Sequence, residues 1–483
     1  MRRVNVSSEF DAIVIGSGPN GLSAAIALQQ AGLSVLILEA KDSIGGGLRS
    51  AELTLPGFVH DICSAIHPLA AGSPFFNSLP LEQHGLEFIY PEVAAAHPFD
   101  DGTSAALYGS VDDTAETLGI DRETYSNLLN PLVKNWPGMV KDVLGPLHLP
   151  KHPLDMAAFG LNALRSASSL VRKFKTKEAR GLWAGMTAHS MQPLTNLGTS
   201  AFGLVLMATG HLKGWPVPKG GSEVIANALV SYFLSIGGKI ETGMPVRSMK
   251  DIPVSAVVLF DLTPKQILEI AGESFSSIYS WQLSRYRYGM GVFKIDWALD
   301  GPIPFTAQEC CKAGTVHLGN TYEEIAKGEE MTNAGVLPEK PFVLLAQQSL
   351  FDPSRVPEGK HTAWAYCHVP NGSEKDMTNA IENQVERFAP GFKDLILAKH
   401  TMNTREIEAY NPNYIGGDIN GGVIDIGQLF TRPALRSSPY RTSARGLYIC
   451  SSSTPPGGGV HGMCGYNAAK QVLKDIFNIK ITL

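Results

Sequence analysis

The strongest constraint on this chain lies between residues 11 and 39, where a buried strand, a glycine turn, a helix and a second strand follow one another without interruption. DAIVIG reads as the strand, Asn20 to Ala31 carries helical periodicity, Gly32 ends it, and LSVLILE is the next strand. This is one βαβ unit of a parallel, Rossmann-like α/β sheet. In its turn, GSGPNG puts Gly16, Gly18 and Gly21 straight after the strand and at the opening of the helix. Glycine there permits the tight turn and lets a pyrophosphate lie along Gly16, Ser17, Gly18, Pro19, Asn20 and Gly21.

Glu39 follows Gly21 by 39 − 21 = 18 residues, at the end of the second strand and next to Ala40. A carboxylate there accepts hydrogen bonds from the ribose hydroxyls of adenosine and repels a 2′-phosphate. The alternative is a solvated acid at a strand end. This loop alone leaves NAD and FAD both open. KDSIGGGLRS then adds Gly45, Gly46, Gly47 and Arg49 as a second phosphate-facing loop, which a plain NAD domain does not need. Its competing reading is a flexible glycine turn.

More than four hundred residues later, SSSTPPGGGVHGMCGYNAAK follows the buried strand GLYIC and repeats the order strand, glycine loop, helix. A bound flavin accounts for that arrangement. Bare amides at a helix opening approach the N1–C2=O edge of the ring, with Gly458, Gly459, Val460 and Met463 as the contacts. A linker is the alternative, which Pro455, Pro456 and the following helix oppose.

At 483 residues the chain is long enough for two domains. The expected FAD domain is discontinuous, from 8 to 75, 215 to 290 and 420 to 483, with a mixed α+β substrate cap from 76 to 214 and 291 to 419. A helix is expected from Pro153 to Lys175, a helix and a strand within KGGSEVIANALVSYFLSIGGKIE, and strands in VSAVVLF, GVFKIDWAL and HTAWAYCHV. With 44% hydrophobic residues, 18% charged and a net charge of −5, no basic field for nucleic acid exists. Six cysteines without CxxC spacing point to a reducing compartment, with neither a metal site nor a redox dithiol. MRRVNVSSEF leaves no room for a signal peptide, and no apolar run approaches about 18 residues, so the expectation is a cytoplasmic protein, soluble or held on one membrane face.

The segments VIGSGPNGLSAAIAL, LEAKDSIGGGLRS, PKGGSEVIANAL and PPGGGVHGMCGYNAA resemble the phytoene-desaturase-like branch of the amine-oxidase and glutathione-reductase-type flavoproteins. Within that branch, HDICSAIHPLAAGSPFF, GVFKIDWALDGPIPF, AGTVHLGNTYEEIA and PNYIGGDINGG resemble the pyridine nucleotide-disulphide oxidoreductase domain-containing protein 2 family. The resemblance covers nearly the whole chain and implies an FAD-dependent oxidoreductase without an assigned substrate. It also implies an adenine contact at Val246, for which a core valine in a strand is the alternative. Two departures stand out. Gly47 holds the place where many relatives carry arginine, with Arg49 two residues on. Cys450, Ser451 and Ser452 replace a Gly-Asp pair, so that a Ser451 hydroxyl or amide meets the ribityl chain.

Hydride transfer to flavin N5 needs an aligned C–H bond and little else. His461 is the first candidate to face the flavin and His67 the second, each against a structural hydrogen-bonding role. Lys294 invites comparison with the lysine of amine oxidases, but its local pattern does not match and a snorkelling surface lysine is expected. No second GxGxxG follows a strand, which opposes an NAD(P)H-driven disulphide reductase; oxygen, a quinone or another carrier would take the electrons. The reading is dehydrogenation of a hydrophobic small molecule. Its alternatives are a flavin amine oxidase with an aromatic pair above the ring and a respiratory-chain assembly protein whose FAD stabilises the fold. Residues 153 to 177 set Met156, Phe159, Leu161, Leu164 and Leu170 among Arg165, Arg172, Lys173, Lys175 and Lys177, as an interfacial helix with a basic end would, or as a cap helix with a core stripe.

Overall fold

The computed structural model describes residues 9–483. Residues 1–8, on which the signal-peptide expectation and the first residue of the expected cofactor domain fall, lie outside the described residues.

Two sheets organise the chain. The first is fully parallel and has five strands in the order Leu447–Ile449, Ser255–Phe260, Phe10–Ile15, Val35–Leu38, Lys239–Glu241. Its three central strands are almost wholly apolar because both faces are covered. Ala12 and Val14 face one core, built with helices Pro19–Gln30, Glu223–Ser235 and Met463–Val472. Ile13 and Ile15 face the other, with Ile267, Tyr279 and Leu283. The chain returns to this sheet at residues 239–260 and again at 447, so the C-terminal glycine loop comes up beside the N-terminal one.

The second sheet has seven strands in the order Ile396–Met402, Gly291–Leu299, His361–Val369, Val343–Ala346, Ala313–Leu318, Val93–Pro98, Ser104–Leu107. It is antiparallel except for the pair 313–318 and 93–98. Alternation divides its faces. Phe293, Ile295, Trp297, Leu345, Ala363 and Ala365 pack beneath helix Thr378–Phe388. Val292, Lys294, Leu344, Trp364 and Tyr366 occupy the opposite face, where the cavities described below open.

The expected helix from Pro153 to Lys175 is corrected. A helix runs only from Pro153 to Ala163; Ser166 then caps a new short turn, accepting from Ser169 N–H, and a 3₁₀ turn covers Val171–Lys173. The serine side chain competes for backbone donors and restarts the helix. Met156 and Phe159 pack against the core and Leu170 is buried, whereas Leu154 and Leu161 are exposed.

Candidate functional site: a dinucleotide cavity joined to an aromatic cavity

The strand Phe10–Ile15 ends in a turn at Gly16, whose φ of +100° only glycine adopts without strain, and Pro19 starts the helix. The open amides of that helix face a cavity of about 320 Å³. Gly16, Ser17, Gly18, Pro19 and Asn20 line it, while Gly21 lies beneath and gives its N–H to Asp261 Oδ2 at 2.9 Å.

Glu39 is a hydrogen-bonding hub in the wall of this cavity. Ser17 donates to its Oε2 from both N–H (2.9 Å) and Oγ (2.6 Å), and Lys41 N–H donates to Oε1 at 2.9 Å. Ala40 and Val246 line the cavity beside it, and Met244 N–H donates to the Glu39 carbonyl. Val246 is half-buried in an otherwise largely exposed loop rather than in a strand.

In the second glycine turn, a Cβ on Gly46 would stand 3.0 Å from Gly18 Cα, so the two turns touch backbone to backbone. Gly47 lines the cavity, and a Cβ on it would collide with the Tyr414 hydroxyl. Tyr414 thus fills the space that a larger side chain at position 47 would need. Arg49 also lines the cavity, but it is folded onto its own turn. Its Nε and Nη2 donate to Ser43 O, its Nη1 to Gly46 O, and Nη2 lies 3.4 Å from Glu39 Oε1.

At the far end, Gly459 and Val460 form the wall. Ser452 rather than Ser451 reaches the cavity; the Ser451 hydroxyl is spent on Leu262 O at 2.7 Å. Gly458 packs on Asn420, and Met463 opens the C-terminal helix with its N–H on His461 Nδ1, so neither lines the cavity. The cavity therefore runs from a ribose-type acid, past two glycine turns, to a third. Asn20 on its wall keeps a buried Oδ1 without a partner among the described residues. These residues fit FAD.

Sequence reasoning missed Asp261, Gln266, Tyr410, Asn413 and Tyr414, which also line this cavity. Asp261 had a signal, since it ends a parallel strand where ligands gather in such sheets. The tyrosines come from a segment far along the chain and had none.

A second cavity of about 200 Å³ adjoins the first and shares Ser64, Tyr414, Ile419, Gly459 and Val460 with it. Its remaining wall is largely aromatic and apolar, with Trp215, Trp364, Tyr366, Leu206 and Leu344. His67 lines it. Ser222 Oγ donates to Ser64 O at 2.6 Å, so it accepts from His67 Nε2–H at 2.8 Å; this network assigns the proton to Nε2 and leaves Nδ1 bare. Burial pushes His67 down to about 4. His189 lines the same cavity, 2.9 Å from His317, and burial lowers it to about 3. His461 lines neither cavity. It accepts from Met463 N–H and is pushed by burial to about 4, with the Gly457 and Gly458 backbone pulling the other way.

Lys294 corrects a sequence expectation. It is 3% exposed, ion-paired with the buried Asp296, and lines a small space between the two cavities with Trp364, Tyr366 and Tyr414. The strand GVFKIDWAL is covered on both faces, so its alternation no longer marks a wet side.

Residues 14–77 match the NAD(P)-binding Rossmann-like domain family. Wild-type putrescine oxidase bound to putrescine shares the fold, with a TM-score of 0.62 at 17% identity over 97% of this chain and 99% of that one. The chain is an enzyme of the FAD-dependent oxidoreductase class. Its homologues include pyridine nucleotide-disulfide oxidoreductase domain-containing protein 2 of Mus musculus, 26% identical over 98% of this chain and 94% of that protein. They also include a phytoene desaturase of Fusarium fujikuroi, 24% identical over 96% of this chain and 89% of that protein.

Proposed function

We propose that this oxidoreductase dehydrogenates a compact hydrophobic molecule held in the aromatic cavity. The observation that carries the reading is the shared wall: Tyr414, Ile419, Gly459 and Val460 border both cavities, so a molecule in one lies against whatever fills the other. FAD, when bound, would supply the hydride acceptor, and oxygen, a quinone or another carrier would take the electrons. The chain's own residues bind, orient and exclude water. Trp215, Trp364 and Tyr366 enclose the substrate, and no Asp, Glu, Lys or Arg lines the cavity among the described residues. At about 200 Å³ the cavity falls below the range of about 300–1,000 Å³ usual for larger ligands, which favours a compact substrate over a long polyene. Loss of a carbon-bound hydride leaves a proton to be removed, and His67, neutral with a bare Nδ1, is our candidate to take it. His461 holds the C-terminal loop in shape.

A second reading, amine oxidation, is favoured by one observation: Trp364 and Tyr366 meet edge to face at 5.2 Å, with Tyr414 and the buried Lys294 close by. Anaerobic mixing of the holoprotein with an extracted lipid pool and, separately, with an amine series distinguishes them. Bleaching near ~450 nm by the lipid pool alone supports dehydrogenation, and bleaching by amines overturns it. No bleaching by any pool, with a stable partner recovered, supports an interaction protein instead. We extend the proposal to a peripheral membrane contact at the exposed Leu154 and Leu161, seven residues apart on one helical face.

A further inference from the structure

Asp261 follows the strand Ser255–Phe260, is 7% exposed and lines the dinucleotide cavity. Its Oδ2 accepts from Gly21 N–H at 2.9 Å and lies so close to the loop that a Cβ on Gly18 would stand 2.7 Å away. A carboxyl group therefore rests on the glycine loop at the positive end of a helix, where pyrophosphates bind in folds of this kind. A charged carboxylate and a pyrophosphate repel each other strongly in so enclosed a place.

Among the described residues, none forms a salt bridge with Asp261. Glu39 faces it across the loop, and Arg49 is committed to Ser43, Gly46 and Glu39. Lys41 donates to Ala409 O at 3.1 Å. Tyr410 and Tyr414 also line the cavity, and Cys450, just after the strand Leu447–Ile449, and Cys464, in the helix Met463–Val472, lie near the carboxyl group. Burial pushes the Asp261 carboxyl up to about 7; the Gly21 N–H opposes the rise and the Glu39 charge adds to it.

We propose that FAD binding is coupled to protonation of Asp261: the neutral acid admits the pyrophosphate, and the carboxylate excludes it. At a pH where the carboxyl of the flavin-free protein is ionised, one proton is taken from solvent as FAD binds and returned as it leaves. This goes beyond the reaction proposed above and does not depend on its substrate.

The test uses the full chain stripped of flavin, with Kd for FAD measured by flavin fluorescence from pH 6 to 9. The wild type should bind equally well up to about pH 7 and then weaken by up to about tenfold per pH unit, whereas Asp261→Asn should give a flat profile. Titration calorimetry of the wild type at pH 8, in phosphate and in Tris, needs no variant and should report uptake of about one proton per FAD. Parallel pH profiles for wild type and Asp261→Asn, or no proton uptake by the wild type, would overturn the proposal.

Discussion

Arg355 Nη1 lies 2.6 Å from Asp61 Oδ2, with both side chains fully buried. The same guanidinium donates to Asp352 Oδ2 at 2.9 Å and to Pro218 O at 2.6 Å, while Asp61 Oδ1 accepts from Ser222 N–H and Ser50 Oγ. Ser222 in turn holds His67, so the pair braces the wall of the aromatic cavity. Burial pushes the Asp61 carboxyl up, but the Arg355 charge and the hydrogen bonds from Ser222, Arg355 and Ser50 outweigh it and hold the group below its ordinary value.

Removing Arg355 leaves the Asp61 carboxylate in the core without its counter-charge. Arg355→Met should cost about 3–5 kcal/mol of unfolding free energy, read as a lower urea midpoint at unchanged slope. Asp61→Asn together with Arg355→Met should cost less than the sum of the two single changes. A loss under about 1 kcal/mol for Arg355→Met would show that the pair is not a brace.

Gly47 and Tyr414 compete for one volume. Gly47→Ala should displace the Tyr414 hydroxyl, costing about 1–3 kcal/mol, and lower the FAD content of the purified protein. Adding Tyr414→Phe removes the obstructing oxygen and should restore both. Flavin content measured spectrophotometrically for the single and double variants decides the matter; no recovery in the double variant would mean the clash is not the cause.

The buried histidines set an acid limit. Burial lowers His67 and His461 to about 4 and His189 to about 3, so between pH 6.5 and 4 the unfolded chain binds protons that the folded chain refuses. Their contribution is complete above the unfolded value near ~6.5 and is lost as pH falls toward the folded values, by up to about 1.4 kcal/mol per pH unit for each group. Urea titrations at pH 7, 6 and 5 should show falling stability, and His461→Gln should shallow that slope by up to one such group. An unchanged slope in the variant counts against the assignment.

Leu154 and Leu161 are 85% and 76% exposed, an unusual placement for two leucines on one helix face. Leu154→Asp with Leu161→Asp should cut sedimentation with anionic liposomes several-fold while leaving bound FAD unchanged. Equal sedimentation of wild type and variant would remove this face as a membrane contact.

Much of the dinucleotide end was legible because its logic is local. A strand, a glycine turn and a helix sit within thirty residues, and the structure puts Glu39 on the same turn through Ser17. The rest depends on segments far apart in the chain. Gly21 and Asp261 are 240 residues apart, and Tyr410 and Tyr414 reach the site from a segment farther still along the chain. Lys294 was expected at the surface from the habit of lysine, whereas its strand is covered on both faces; the helix after Pro153 breaks because a serine cap restarts it without changing its apolar pattern.

The order of the parallel sheet also dictates when the site can come into being. Its central strand at residues 10–15 pairs with 255–260, which pairs with 447–449, so the floor of the cavity waits for two long chain closures. During synthesis the adenosine half can take shape once residue 260 has emerged. The wall at Gly459 and Val460 arrives some two hundred residues later. A nascent chain therefore has an interval in which one end of the cofactor's berth exists and the other does not.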